Sequence, residues 1–171
     1  MEWTERVKEV IEPVERIRSI ENAVWEKIDG RVYEEKRAEW RERGARLFHN
    51  IDLNEARAYM QNLWLNGEVH SEILGARIYR QTGDAAFCLT EKYIEDYVER
   101  SALHTEAEHD AEYIIRKSGI EIDDDNIFFV DKVKRVITGV LLDEMDDGFW
   151  DEGVVCGRNP LYEVAEEIVN E

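Results

Sequence analysis

The chain has 171 residues, a length that suits one folded domain with a sizeable core. Hydrophobic residues make up 43% of it and aromatic residues 10%, which favours a folded protein over a disordered one. The 40 acidic residues outnumber the 22 Lys and Arg, which gives a net charge of −18. This charge argues against direct binding to nucleic acid phosphates or anionic membranes. It favours cations or basic proteins as partners.

The N-terminal decapeptide MEWTERVKEV is charged and lacks the apolar region of a signal peptide. No apolar run approaches the length of a membrane-spanning helix. Cys88 and Cys156 lie far apart in the chain and form no CxxC pair, so a disulfide scaffold or thiolate zinc site is not indicated. These features predict a cytoplasmic protein with reduced thiols.

Long stretches with a period of 3.6 residues, and only two prolines, predict an all-α protein. The expected architecture is an antiparallel bundle of about four long helices with short additional ones. The first helix is predicted over residues 3–28, with a kink at Pro13, and the second over residues 31–49. These two helices give a hairpin within residues 1–50.

The third predicted helix begins after Asp52, which has Glu55 three residues later in the pattern of a capping box. It carries apolar stripes on two opposite sides and runs to about Thr82. A helix that is apolar on two sides is either central in a bundle or shared with a second chain, so a homo-oligomer is expected.

The fourth predicted helix runs from the N-cap Asp84 to Lys117, with Gly119 as its C-terminal stop. A fifth covers residues 126–146, and residues 148–158 are expected to be irregular. Asn159-Pro160 is a typical N-cap and first-turn pair for a last short helix. Residues 1–171 thus form a single helical domain, with core helices over 52–147 and a C-terminal tail with its short helix over 148–171.

His104 and Glu108 lie four residues apart, so a helix places them on one side. The same stripe carries Ala86, Tyr93, Tyr97, Ala111 and Ile115. An ionisable pair in an apolar stripe indicates a partner, because burying an unpaired charge costs much free energy. Inward positions on other predicted helices are occupied by Glu21, His70 and Glu144.

Imidazoles and carboxylates that converge from facing helices are typical ligands of iron and other divalent transition metals. The sequence therefore predicts such a cofactor in the bundle core. Its expected ligands are Glu21, His70, His104, Glu108 and Glu144. The alternative is that these side chains serve the fold alone, with Glu108 paired to Arg100, His104 hydrogen-bonded to Tyr97, and the other carboxylates facing water.

Glu68 and the ExxH pattern formed by Glu106 and His109 resemble one half of the ferritin-like di-iron bundles. The resemblance covers residues 68–117, under a third of the chain, and the sequence contains no second ExxH. It implies two bridged irons, oxygen or peroxide chemistry, and Glu68, Glu106 and His109 as a competing ligand set. His109-Asp110 also resembles the paired residues of HD-type phosphohydrolases, but polar residues precede it where that family has a buried helix.

Two functions remain open from the sequence. The first is a helical bundle that binds one or two transition-metal ions, with oxidoreductase as the implied class of enzyme. The second is a non-enzymatic acidic module that binds another protein, either as a homodimer or as an inhibitor that mimics nucleic acid and binds a basic partner.

Overall fold

The structure is a computed structural model, and it describes residues 22–69, 82–100 and 102–171. These residues contain helices and connecting segments and no strand, which confirms the all-α class. A helical stretch at residues 22–26 precedes six helices. They are α1 (Gly30–Asn50), α2 (Leu53–Leu65), α3 (Thr82–Arg100), α4 (Leu103–Lys117), α5 (Ile127–Val155) and α6 (Pro160–Asn170).

The chain divides into two compact units, one made of Met1–Ala38 and Thr105–Leu142 and the other of Glu39–His104 and Asp143–Glu171. In the first unit, α4 and α5 bury an apolar face that includes Ala107, Ala111, Ile114, Ile115, Val130, Val133, Ile137 and Leu141. In the second unit, α2, α3 and α6 pack against one another. Their core includes Ala56, Met60, Leu63, Ala86, Leu89, Ile94, Phe149, Leu161, Val164 and Ile168.

The helix ends follow the capping residues in the sequence. The Asp52 carboxylate accepts hydrogen bonds from the backbone N–H groups of Asn54 at 2.9 Å and Glu55 at 3.2 Å, so it caps α2. Asn159 caps α6 through the N–H of Leu161 at 2.9 Å, with proline at the first helical position. Gly119 ends α4 in the left-handed region with a φ of 73°. All three of these sequence predictions are confirmed.

The predicted single helix from Asp84 to Lys117 is wrong, because the chain breaks between α3 and α4. Ala102 has a φ of 57°, a left-handed conformation that interrupts the helix. The break resets the helical phase, so the buried stripe of α4 consists of Leu103, Ala107, Ala111, Ile114 and Ile115. His104, one position beyond Leu103, is turned to the exposed side.

Two further boundaries differ from the prediction. Helix α2 ends at Leu65, and Gly67 follows with a φ of 69°, whereas the sequence pattern predicted a helix as far as Thr82. Residues 70–81 lie outside the described part of the chain. Helix α5 continues to Val155 through residues that were expected to be irregular. Gly148 and Gly153 both lie inside this helix.

Within the second unit, two glycines bring α1 and α5 into backbone contact. A Cβ built on Gly44 would overlap the carbonyl oxygen of Met145, and one built on Gly148 would overlap that of Arg41. Both glycines are buried. Any larger residue would therefore force the two helices apart.

We predict that Gly148→Ala destabilises the protein by about 2 kcal/mol, because the added methyl group has no space next to the backbone of α1. The matched control is Gly139→Ala in the same helix, where nothing lies within 4 Å of the new Cβ. That change should stabilise the protein by about 0.5–1 kcal/mol, since alanine favours a helix more than glycine does. Urea unfolding of both variants measures the difference, and equal effects would contradict close helix contact at Gly148.

Candidate functional site

Of the five metal ligands predicted from the sequence, the structure describes His104, Glu108 and Glu144. His104 is exposed, which makes the prediction of its burial wrong, and Glu108 is only partly buried. Glu21 and His70 lie outside the described residues. No predicted ligand from the described ranges belongs to a group of three or more side chains whose metal-binding atoms lie within reach of one another.

Glu144 is buried, as the helical pattern predicted. Its carboxylate accepts a hydrogen bond at 3.2 Å from Arg41, whose guanidinium also pairs with Asp151. An arginine therefore neutralises this buried carboxylate. A role for Glu144 as a metal ligand remains a prediction.

The residues of the ferritin-like resemblance lie at the surface. Glu68 is exposed after the end of α2, and Glu106 and His109 are both exposed on α4. In a di-iron bundle, such ligands project into the core between helices. The resemblance itself remains a prediction.

A different group of ligand-type side chains forms where the C-terminal ends of α1 and α5 meet. It consists of His49, Glu152 and Cys156, and we call it the His–Glu–Cys group. One potential ligand atom from each residue lies within 4.8 Å of the others. An imidazole nitrogen, a carboxylate oxygen and a thiol sulfur thus converge on one small volume.

Two features of the fold position this group. Glu152 and Cys156 are four residues apart, and the Cys156 N–H donates to the Glu152 carbonyl at 2.9 Å, so the helical path of α5 keeps both on one side. Phe48 packs edge-on against the buried Phe149, with ring centroids 5.6 Å apart. This aromatic contact joins α1 to α5 next to His49.

The atoms of the group are already in contact. The His49 Nε2 atom lies 2.5 Å from Glu152 Oε1, and the Cys156 thiol donates to the same oxygen at 3.6 Å. Desolvation and the Glu152 carboxylate raise the pKa of the Cys156 thiol above its ordinary value of 9.0. The thiol is therefore protonated at neutral pH unless a cation replaces its proton.

Sequence reasoning missed this group for two reasons. His49 and Glu152 are 103 positions apart, and no periodicity links residues at that separation. The segment that holds Glu152 and Cys156 was expected to be irregular, so their spacing of four carried no meaning. The signal that could have found half of the group is the ExxxC pattern itself, read on a helix extended to Val155.

A second cluster of ionisable groups lies elsewhere in the same unit. Burial raises the pKa of Asp146, a hydrogen bond from Trp150 opposes the shift, and the charges of Asp147 and Asp143 add to it. Desolvation likewise raises the pKa of Glu91, with a further contribution from Asp146. The cluster therefore repels itself when fully ionised.

The folded-state pKa of Asp146 lies above its ordinary value of 3.8, so the native state binds protons more readily than the unfolded state. Ionised Asp146 therefore lowers stability at neutral pH, and the loss disappears as the pH falls through the folded-state pKa. We predict that Asp146→Asn raises Tm by about 2 °C at pH 7 and by less at pH 4. A shift of about 2 °C corresponds to a gain of a fraction of a kcal/mol in the free energy of unfolding.

The asparagine oxygen can still accept the hydrogen bond that Trp150 donates to Asp146 at 3.1 Å. Asp147→Asn is the control, because it makes the same charge change at an exposed neighbour. Thermal unfolding at both pH values tests the prediction. A Tm gain that is equal in the two variants, or that grows towards pH 4, would contradict it.

Comparisons with protein-family models, with curated proteins and with solved structures found no match for this chain. Among the helices that the structure describes, none is both long and apolar enough to span a membrane.

Proposed function

We propose that this protein binds a divalent transition-metal ion through His49, Glu152 and Cys156. The observation that supports the proposal is the convergence of nitrogen, oxygen and sulfur donors within 4.8 Å. These three residues differ from the ligands predicted from the sequence. The function itself, binding of a transition metal, is the one that the sequence predicted. We also propose, as the sequence predicted, that the helices form an antiparallel bundle of four long helices.

The distance between the Glu152 oxygen and the Cys156 sulfur suits a tetrahedral ion. Ordinary zinc bonds of about 2.0 Å to nitrogen and oxygen and about 2.3 Å to sulfur place oxygen and sulfur ligands about 3.5 Å apart at a tetrahedral ion. Glu152 Oε1 and Cys156 Sγ are separated by 3.6 Å. His49 Nε2 and Glu152 Oε1, at 2.5 Å, would have to separate by about 0.8 Å, which a side-chain rotation at this partly exposed site can provide.

The donor set favours borderline ions such as Zn²⁺, Co²⁺ and Fe²⁺ over Ca²⁺ and Mg²⁺, which prefer oxygen ligands. A thiolate and a carboxylate together neutralise a divalent charge. Because binding displaces the thiol proton, we expect metal affinity to rise with pH. Three protein ligands leave one tetrahedral position for water or a substrate, as in catalytic zinc sites. Oxidoreductase activity would require an ion that changes oxidation state, such as iron.

Cobalt provides the sharpest test, because a Co²⁺–thiolate bond gives a charge-transfer absorption band that a surface carboxylate site does not. We expect the wild-type protein to bind one Co²⁺ per chain and to show this band. Cys156→Ser should abolish the band, and His49→Ala should weaken binding by about tenfold to a hundredfold.

The matched control is Cys88→Ser, which removes the other cysteine and should leave the band unchanged. Circular dichroism establishes that each variant is folded. A wild-type protein without the band, or a band that survives in Cys156→Ser and disappears in Cys88→Ser, would overturn the proposal.

Self-association is a second candidate function, and a surface of the first unit supports it. Ile122, Ile127 and Phe128 are each more than half exposed, at 57%, 55% and 64%. Ile122 and Ile127 line a groove of about 610 Å³, and Phe128 follows Ile127 in the chain. The other apolar residues of the lining are Ile115, Ile120 and Val130. Clustered exposed apolar side chains are typical of protein interfaces. We propose a second copy of this chain as the occupant, since the lining also carries both signs of charge.

If the chain forms this dimer, Phe128→Ser should raise the dimer dissociation constant by about tenfold or more. Light scattering would then show a shift from dimer to monomer. Val154→Ser is the control, because Val154 is 77% exposed and lies in the other unit. A monomeric wild-type protein would exclude the candidate. Salt-sensitive binding to a basic protein such as a histone, with no dimer, would instead favour the acidic interaction module.

A further inference from the structure

A groove of about 540 Å³ opens in the second unit, and its lining includes no residue of the His–Glu–Cys group. The second half of α1, the connection to α2, and α3 contribute most of its lining. A volume of this size accommodates a small organic molecule. The chemistry of its walls indicates which class of molecule would fit.

One wall carries two arginines in a chain of net charge −18. Arg43 and Arg46 lie three residues apart on α1, so they are neighbours on one helix face. The Arg43 guanidinium lies 4.4 Å from the centroid of the fully buried Trp40 ring, a contact that restricts its orientation. Within the described ranges, no carboxylate lies at ion-pair distance from Arg46, although the chain has 40 acidic residues.

Other residues of the lining are apolar or aromatic. It includes Tyr93, Tyr97, Leu103 and Met145, of which Leu103 and Met145 are buried. Tyr93 packs edge-on against Tyr59 with ring centroids 5.5 Å apart, and the Tyr59 hydroxyl donates to Asp96. This aromatic pair fixes one side of the groove. An apolar body placed along it would be removed from water.

Two acids limit the charge of the ligand. Asp52 and Glu55 also line the groove, and the Asp52 carboxylate is occupied with capping α2. Their negative charges would repel a phosphate that carries two charges more strongly than a carboxylate that carries one. The arginine pair can still donate a bidentate pair of hydrogen bonds to a single carboxylate.

We propose that this groove binds a small organic monoanion, a carboxylate with an apolar or aromatic body. The carboxylate contacts Arg43 and Arg46, and the body lies along Tyr93, Tyr97 and Met145. This binding site is separate from the proposed metal site and does not depend on it.

The test uses 3-phenylpropionate as the probe and its neutral analogue 3-phenylpropanamide, measured by ligand-observed NMR and calorimetry. We expect the carboxylate to bind with a Kd on the order of 1 mM, the usual scale for a ligand of this size. The amide should bind at least tenfold more weakly, because it cannot pair with the arginines. Arg46→Ala should weaken carboxylate binding by about tenfold.

Arg57→Ala is the matched control, because Arg57 is a surface arginine outside the groove, paired with Glu167 at 2.7 Å. It makes the same charge change and should alter the Kd by less than twofold. Cys156→Ser should also leave the Kd unchanged, which separates this site from the metal site. The proposal is overturned by no binding up to 10 mM, by equal binding of acid and amide, or by equal effects of Arg46→Ala and Arg57→Ala.

Discussion

The second unit depends on the contact of two helix backbones at Gly44 and Gly148. Because neither residue carries a side chain, α1 and α5 approach until each glycine faces a carbonyl of the other helix. That approach brings Phe48 onto Phe149 and places Arg41 beside Glu144. It also determines how far the last turn of α1 lies from the last turn of α5. The His–Glu–Cys group therefore follows from a packing constraint between residues that are not themselves ligands.

The high negative charge has local consequences in this fold. Glu144 is buried with an arginine, whereas desolvation and, after it, the charge of Asp146 raise the pKa of Glu91. Such clusters are costly, and proteins retain them mainly where solubility or function compensates. Against this background, the groove with Arg43 and Arg46 is unusual because two cations face it in a chain dominated by acids.

Local signals in the sequence predicted the helices and several of their ends. Asp52, Asn159-Pro160 and Gly119 act through the backbone within a few residues, so their effects can be recognised without the tertiary structure. The break at Ala102 could not be predicted, because alanine is a strong helix former and no glycine or proline marks the site. That one residue changed the helical phase of α4 and with it the position of His104. Gly148 lies inside α5, and its role is set by the backbone of α1, which is distant in sequence.

The candidate site was less accessible to sequence reasoning than the fold. Counting periodicity identifies which residues of one helix share a face, and it predicted the burial of Glu144 correctly. It does not identify which ends of two helices meet. Tertiary packing joins His49 to Glu152, so only the structure reveals that three donor atoms lie together.

The surroundings of the two cysteines also affect how readily their thiols are oxidised. Burial and the charges of Glu91 and Asp84 raise the pKa of Cys88, and desolvation and the Glu152 carboxylate raise the pKa of Cys156. Since the thiolate is the form that attacks disulfides and peroxides, both thiols react slowly at neutral pH. Cys156 is exposed, and the protonation of its thiol lowers the fraction of reactive thiolate. In this protein, the negative charges of nearby acidic side chains add to desolvation in keeping both thiols protonated.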